Sequence, residues 1–226
     1  MKKAPWGRVL SHNTVYALQP EKRKGDYFNM NEKSCADLCN VVMELENMLD
    51  GIAQDFYRNR EEHLSEVEKL SATTVSSMKK SVLKIPLIKG TSVKEMAGKY
   101  EVMRDLEYIR VNLEKIMRAT QDKVSHSVLF SNWAVEELDV LFSGSRKSLR
   151  SLAAYLKQCN EYNRFDLDKE AGKFMEECLK FTRQHEDRFI QGICTPESSA
   201  IYQAMLDAFR DTFRHIKSCV VKVYQQ

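Results

Sequence analysis

Apolar residues recur every three or four positions along most of the chain, the pattern of amphipathic helices packed side by side. Between Glu32 and Arg60 this stripe consists of Leu38, Val41, Leu45, Leu49, Ile52 and Phe56. Between Val93 and Lys123 it consists of Val102, Leu106, Ile109, Leu113 and Ile116. Spacing that alternates between four and three residues predicts long helices that cross at a shallow angle.

The stretch between these two helices predicts a third, and the second part of the chain begins in the same way. From about Glu62 to Leu83 the apolar positions are Leu64, Val67, Val75, Met78 and Val82. Pro86 and Gly90 predict a loop after it, because proline disfavours helix in the residue before it. After a polar joint at residues 124–131, Asn132 is predicted to cap a helix. Its stripe is Leu138, Leu141, Leu149, Leu152 and Leu156.

Many stripe positions recur after one hundred residues. The pairs are Leu38 and Leu138, Val41 and Leu141, Leu49 and Leu149, Ile52 and Leu152, Phe56 and Leu156, Val67 and Leu167, Met78 and Cys178, Leu106 and Leu206, Ile109 and Phe209, Leu113 and Phe213, and Ile116 and Ile216. Such self-similarity predicts an internal duplication. We therefore expect an all-α protein of two tandem three-helix bundles, at residues 31–123 and 124–226.

Composition supports the helical class, and it separates the first thirty residues from the rest. Eight glycines and four prolines are too few turn formers for a sandwich, a barrel or a doubly wound sheet. Residues 1–30 are basic and lack a sustained helical period, so we predict a solvated N-terminal arm. The alternative is an arm that touches an acidic surface or anionic lipid. The net charge of +3 gives no reason to expect a nucleic-acid partner.

The sequence contains no apolar run long enough to span a bilayer and no signal peptide, so we expect a cytoplasmic protein with reduced cysteines. It also lacks the Glu-x-x-His, His-Glu-x-x-His, paired Cys-x-x-Cys and glycine-rich phosphate-loop patterns. We therefore expect that the protein is not an enzyme. Cys35 with Cys39, and His215 with Cys219, are each spaced for half of a zinc site. Burial of the cysteines as small hydrophobic residues is the favoured alternative, above all for Cys178.

Two stretches carry a family resemblance. The first runs from Phe130 through Ser131 to Glu137 and Leu138, and opens a long amphipathic helix. The second places Arg183, His185 and Arg188 before a turn at Gly192 and a Tyr-x-x-x-Leu sequence at Tyr202 and Leu206. Together with the repeat, they resemble the PhoU domain family of phosphate-uptake regulators, including the PhoU-like domains of sodium/phosphate cotransporters. The resemblance covers roughly Asn31 to the C-terminus.

The family holds a metal cluster on a Glu-Arg-x-x-Asp-His sequence in its third helices, and this chain departs from it. The corresponding stretch, 209–215, keeps His215 but has Arg210 and Arg214 where the carboxylates would stand. The resemblance leaves Glu101, Asp105, Glu114 and His215 as candidate ligands for a divalent, iron or zinc ion. A solvated helix face is the favoured alternative for Glu101 and Asp105.

The basic residues of the second copy are the other candidate site. Arginine repels cations, so Arg210 and Arg214 are candidates for binding an anion or a partner's carboxylates, as are Arg183, His185 and Arg188. Intramolecular pairing of Arg210 and Arg214 with residues such as Asp207 and Asp211 is the alternative.

The resemblance implies a non-enzymatic regulator of phosphate transport or phosphate signalling that acts through protein contacts. The implied partners are a phosphate transporter, its ATPase subunit or a sensor kinase, with the chain peripheral to the inner face of the membrane. A homodimer is an open alternative to a monomer, and no nucleic-acid partner is expected. The alternatives are a metal-binding helical bundle and a detached cytosolic partner of a sodium/phosphate carrier.

Overall fold

The computed structural model describes residues 32–87, 92–158 and 161–224, whose regular secondary structure is entirely helical, with no strand. The predicted arm at residues 1–30 lies outside the described residues. A short 3-10 helix at Ile85–Leu87 follows the second α-helix. The six α-helices are α1 Glu32–Arg58, α2 Leu64–Lys84, α3 Val93–Ser125, α4 Asn132–Gln158, α5 Glu161–Ile190 and α6 Pro196–Tyr224.

A buried aspartate fixes the turn between α1 and α2. The Asp55 carboxylate is fully buried and accepts hydrogen bonds from the backbone N–H groups of His63 at 2.7 Å and Leu64 at 2.9 Å. It also contacts Nδ1 of His63 at 2.7 Å. The first N–H groups of a helix have no partner within the helix, so a carboxylate at this point stabilises the helix start. Accordingly α2 begins at Leu64, two residues later than the predicted Glu62.

The residue that caps α4 differs from the predicted one. Asn132 is the first helical residue, and Ser131 precedes it as the cap. The Ser131 hydroxyl accepts a hydrogen bond from the Ala134 N–H at 3.3 Å, and its carbonyl accepts one from the Val135 N–H at 3.1 Å. The prediction of Asn132 as cap was wrong by one residue, because serine and asparagine are both good caps and the sequence places them side by side.

The helices pack as two antiparallel pairs with one flanking helix on each. Arg150 and Arg146 of α4 bind Glu46 and Asp50 of α1 at 2.5 Å and 2.6 Å, so residue numbers rise along one helix as they fall along the other. The most extensive contact joins α3 to α6. Helix α2 packs mainly on α1 and α3, and α5 mainly on α4 and α6. We call α1–α3 the first half and α4–α6 the second half.

The predicted stripes form the core of the protein. The stripe residues of α1, α3, α4 and α6 named above are all at most 4% exposed, and they belong to one connected apolar cluster. Helix α2 is the exception, because Val75 and Val82 are only half-buried. None of the helices in the described part of the chain combines the length and apolar character that a bilayer crossing requires.

Candidate functional site

The two stretches that carry the family resemblance meet in a buried cluster of α4, α5 and α6. Arg188 of α5 donates two hydrogen bonds to the Glu137 carboxylate of α4, at 2.8 Å to Oε1 and 2.6 Å to Oε2. The Tyr202 hydroxyl of α6 donates to the same carboxylate. Both charged side chains are only 12% exposed. A two-pronged arginine–carboxylate pair of this kind fixes orientation as well as distance.

His185 completes this cluster, which we call the Glu137 cluster. Its ring is 6% exposed and lies 4.7 Å from the ring of Tyr202. Burial lowers the pKa of His185, and the nearby Arg188 charge lowers it further. Burial and the bond to Glu137 raise the pKa of Tyr202. His185 and Tyr202 are therefore neutral at pH 7, and the cluster holds one compensated pair of charges.

The structure brings His185 and Arg188 together but leaves Arg183 outside the cluster. Arg183 is exposed, and its Nε donates to the backbone carbonyl of Leu179 at 3.3 Å. In the cluster, Nδ1 of His185 and Nε of Arg188 are buried with no hydrogen-bond partner among the described residues. The Glu137 carboxylate already binds both terminal nitrogens of the Arg188 guanidinium. It therefore balances the Arg188 charge without an added anion.

Two of the four candidate metal ligands meet between α3 and α6. Asp105 is 2% exposed and contacts Nδ1 of His215 at 3.0 Å and Nζ of Lys222 at 2.6 Å. Burial alone would raise the pKa of Asp105, but its hydrogen bonds to His215 and Lys222 outweigh that effect and lower it. The ring of Tyr108 stacks on His215 at 4.6 Å. The Asp105 carboxylate thus joins the two helices through a histidine and a lysine.

The other two candidate ligands lie elsewhere. Glu101 is exposed on α3. Glu114 binds NH1 of Arg110 at 2.5 Å and accepts a hydrogen bond from Ser71 at 2.7 Å, while Arg110 also binds Glu107 at 2.7 Å. Within residues 32–87, 92–158 and 161–224, no three His, Cys, Asp or Glu side chains are grouped as metal ligands.

Arg210 and Arg214, which the resemblance sets in place of carboxylates, pair with neighbours on α6. Arg210 lies 3.0 Å from Asp207 and Arg214 lies 3.4 Å from Asp211. These are the intramolecular pairs that the sequence offered as an alternative. Arg214 remains 59% exposed, so its pair is open to solvent and contributes at most about 1 kcal/mol.

Two of the described cysteines, Cys178 and Cys219, are core residues. Cys178 is 1% exposed, as predicted, and burial raises the pKa of its thiol to about 12. Cys219 is fully buried, and burial raises the pKa of its thiol as well. Zinc binds the thiolate form, which burial disfavours at both positions. The side chain of Cys35, the first half of the other proposed zinc pair, lies outside the described residues.

A groove between α2 and α3 is the surface feature that the sequence analysis missed. It contains an apolar hollow of about 340 Å³. A second, more polar hollow of about 320 Å³ follows along the same seam, beside Arg110 and Glu114. The apolar hollow is lined by Val75, Met78, Lys79, Val82, Tyr100, Met103, Arg104 and Glu107. The signal in the sequence was the run of small, mostly polar residues at 71–77, which fills a helix–helix seam less completely than large apolar residues do.

No protein-family model matches the chain, and neither the curated proteins nor the solved structures contain a significant match to it. The family resemblance therefore rests on the residues quoted above.

Proposed function

We propose that this chain is a non-enzymatic regulator of phosphate transport or phosphate signalling, of the PhoU kind. It acts through protein contacts on the cytoplasmic side of a membrane. Its partner is a phosphate transporter, the ATPase subunit of one, or a sensor kinase. No residue of the chain is assigned a catalytic role in this proposal.

The observation that carries the proposal is the Glu137 cluster. Glu137 comes from the first stretch of the family resemblance, and His185, Arg188 and Tyr202 come from the second. These stretches are separated by about fifty residues, yet Glu137, Arg188 and Tyr202 form one buried hydrogen-bonded unit, and the His185 ring packs on Tyr202. Both stretches of the resemblance contribute side chains to this one buried unit, which supports a family-related arrangement.

The proposal includes the finer architecture, two tandem three-helix bundles at residues 31–123 and 124–226. Helices α1 and α4 bury apolar residues at positions one hundred residues apart, among them Leu38 with Leu138 and Leu49 with Leu149. In the core, Leu106 and Leu206 are both buried, as are Ile116 and Ile216. Equivalent residues at equivalent depth support a duplicated unit.

The test is phosphate uptake in cells of the source organism with the gene disrupted. Initial rates of radiolabelled orthophosphate uptake are measured after growth in phosphate-replete and phosphate-poor medium. We expect disruption to leave uptake high in replete medium, because the restraint on the transporter or its sensor is lost. Re-expression of the unaltered chain should restore the lower rate.

Sulfate uptake, measured in the same cells, is the control for a general change in membrane energetics. Equal phosphate uptake with and without the chain in both media would refute the proposed function.

A further inference from the structure

The seam between α2 and α3 lacks an aromatic stack that is present at the corresponding seam between α5 and α6. Phe174 of α5 stacks on Phe213 of α6 with ring centres 4.9 Å apart. One hundred residues earlier, Thr74 stands in place of Phe174 and Leu113 in place of Phe213. Helix α2 consequently packs less extensively on α3 than α5 packs on α6.

The apolar part of this groove is accessible and has the dimensions of a helix-binding site. Val75 and Val82 are half-buried, and Tyr100 is 39% exposed on the opposite side. The stretch from Val75 to Val82 extends about 10 Å along α2, or two helical turns. Two or three apolar side chains on one face of a bound helix fill a groove of this length, as in other helix-in-groove interactions.

The rim of the groove carries uncompensated positive charge. Lys79 of α2 and Arg104 of α3 are exposed, and neither forms an ion pair with a side chain of the described residues. The carboxylate at the rim, Glu107, is already bound by Arg110. A helix that fits this groove therefore presents acidic residues beside its apolar face.

The same charge argues against the chain's own N-terminal segment as the occupant. Residues 1–31 contain six basic and two acidic residues, so their charge has the same sign as the rim. We propose that the α2–α3 groove binds an amphipathic helix of a partner protein, with acidic residues flanking two or three apolar anchors. This proposal identifies the docking surface of the regulator and rests on the function proposed above.

The test uses the full chain and a designed fluorescent peptide. The peptide is an 18-residue helix with leucines at positions i, i+4 and i+7 and glutamates on both sides of that stripe. A matched peptide has lysines in place of the glutamates. Binding is measured by fluorescence anisotropy, for the unaltered chain and for a Lys79→Glu, Arg104→Glu double variant. The control variant, Lys169→Glu with Lys173→Glu, makes the same charge change on exposed positions of α5.

We expect the acidic peptide to bind the unaltered chain and the α5 control equally, and the groove variant about tenfold more weakly. Two exposed attractions turned into repulsions account for about 1.4 kcal/mol, which is that factor. The lysine peptide should show the opposite preference. A Tyr100→Ala variant should also bind the acidic peptide more weakly, because the apolar wall is shortened.

Several results would overturn the proposal: no binding of the acidic peptide, equal binding of both peptides, equal weakening by the α5 control, or displacement of the acidic peptide by a peptide of residues 1–31. Binding of vesicles of anionic lipid without binding of the peptide would also overturn it in favour of a membrane surface. If the peptide binds the groove but phosphate uptake is unchanged in disrupted cells, only the proposed phosphate role is refuted. If uptake is altered but the peptide does not bind the groove, only the proposed docking site is refuted.

Discussion

The two halves of the molecule use similar helices but fill their seams differently. The second half closes its seams with aromatic rings: Phe181, Tyr202, Phe209 and Phe213 are all buried. The positions one hundred residues earlier hold Ser81, Val102, Ile109 and Leu113. A ring buries more apolar surface and meets more neighbours than these smaller side chains. The second half is therefore the better packed of the two, and the first keeps an open groove.

The same contrast holds for an ion pair at corresponding positions of α1 and α4. Glu137 and Arg188 are each 12% exposed and bind tightly, with Tyr202 as a third partner. One hundred residues before Glu137, Asp37 binds Lys84 at 3.1 Å, with the lysine 50% exposed. The buried pair, with Tyr202, joins three helices, whereas the exposed pair joins only α1 and α2.

The largest effect should come from removing an aromatic ring of the second half. We expect Phe213→Ala to lower the free energy of unfolding by about 3–5 kcal/mol, because Phe213 is fully buried and stacks on Phe174. Chemical denaturation followed by circular dichroism measures this change. Phe165→Ala, at a site that is 69% exposed, is the control and should change the value by less than about 0.5 kcal/mol. Similar losses for both variants would contradict the packing described for α5 and α6.

Next in size is the comparison of the two acidic residues. Glu137→Ala should cost about 3 kcal/mol, because it leaves the buried Arg188 charge without its partner. Asp37→Ala should cost less than about 1 kcal/mol, because the pair that it breaks is open to solvent. The same denaturation experiment tests both. Equal costs would mean that burial does not distinguish the two pairs.

A smaller effect is expected at two glycines of the second half. A Cβ atom at Gly144 would overlap the ring of Phe174, so Gly144→Ala should destabilise by about 1–3 kcal/mol. A Cβ atom at Gly172 would lie 3.8 Å from Nζ of Lys217, which is an ordinary van der Waals distance. Because alanine favours helix over glycine, Gly172→Ala should instead stabilise by up to about 1 kcal/mol. Melting temperatures that move in the same direction for both variants would disprove the close contact at Gly144.

The sequence predicted the helices and most of the core because periodicity directly reports which face of a helix is buried. It located α1, α3, α4 and α6 by stripes whose members are all buried. Val75 and Val82 were also placed on a stripe, yet they border a groove. Periodicity identifies an apolar face, but the size of the side chains on the facing helix decides whether that face is covered.

The candidate site was harder to predict because its polar contacts join distant positions. The stretch from Arg183 to Arg188 was identified, but its partner Glu137 lies 51 residues away from Arg188 on another helix. Similarly, Asp105 and Glu114 were placed in one set of candidate ligands. In the structure, Asp105 contacts His215, whereas Glu114 contacts Arg110. Spacing along one helix indicates a shared face, whereas the partner on the facing helix depends on the packing of the two helices.

The smallest effect that we predict is a dependence of stability on pH through His185. Because burial and Arg188 lower the pKa of His185 in the folded protein, the unfolded chain takes up a proton more readily. Stability is therefore complete above the ordinary histidine pKa of 6.5, and it falls as the pH drops from 6.5 toward the lower folded value. His185→Gln should remove this part of the pH dependence. The measurement is the free energy of unfolding between about pH 5 and pH 8, where histidines titrate. The exposed His126→Gln variant is the matched control, since it leaves the His185 ring in place. An unchanged slope below pH 6.5 in His185→Gln would show that the buried ring is not the group that couples protonation to unfolding.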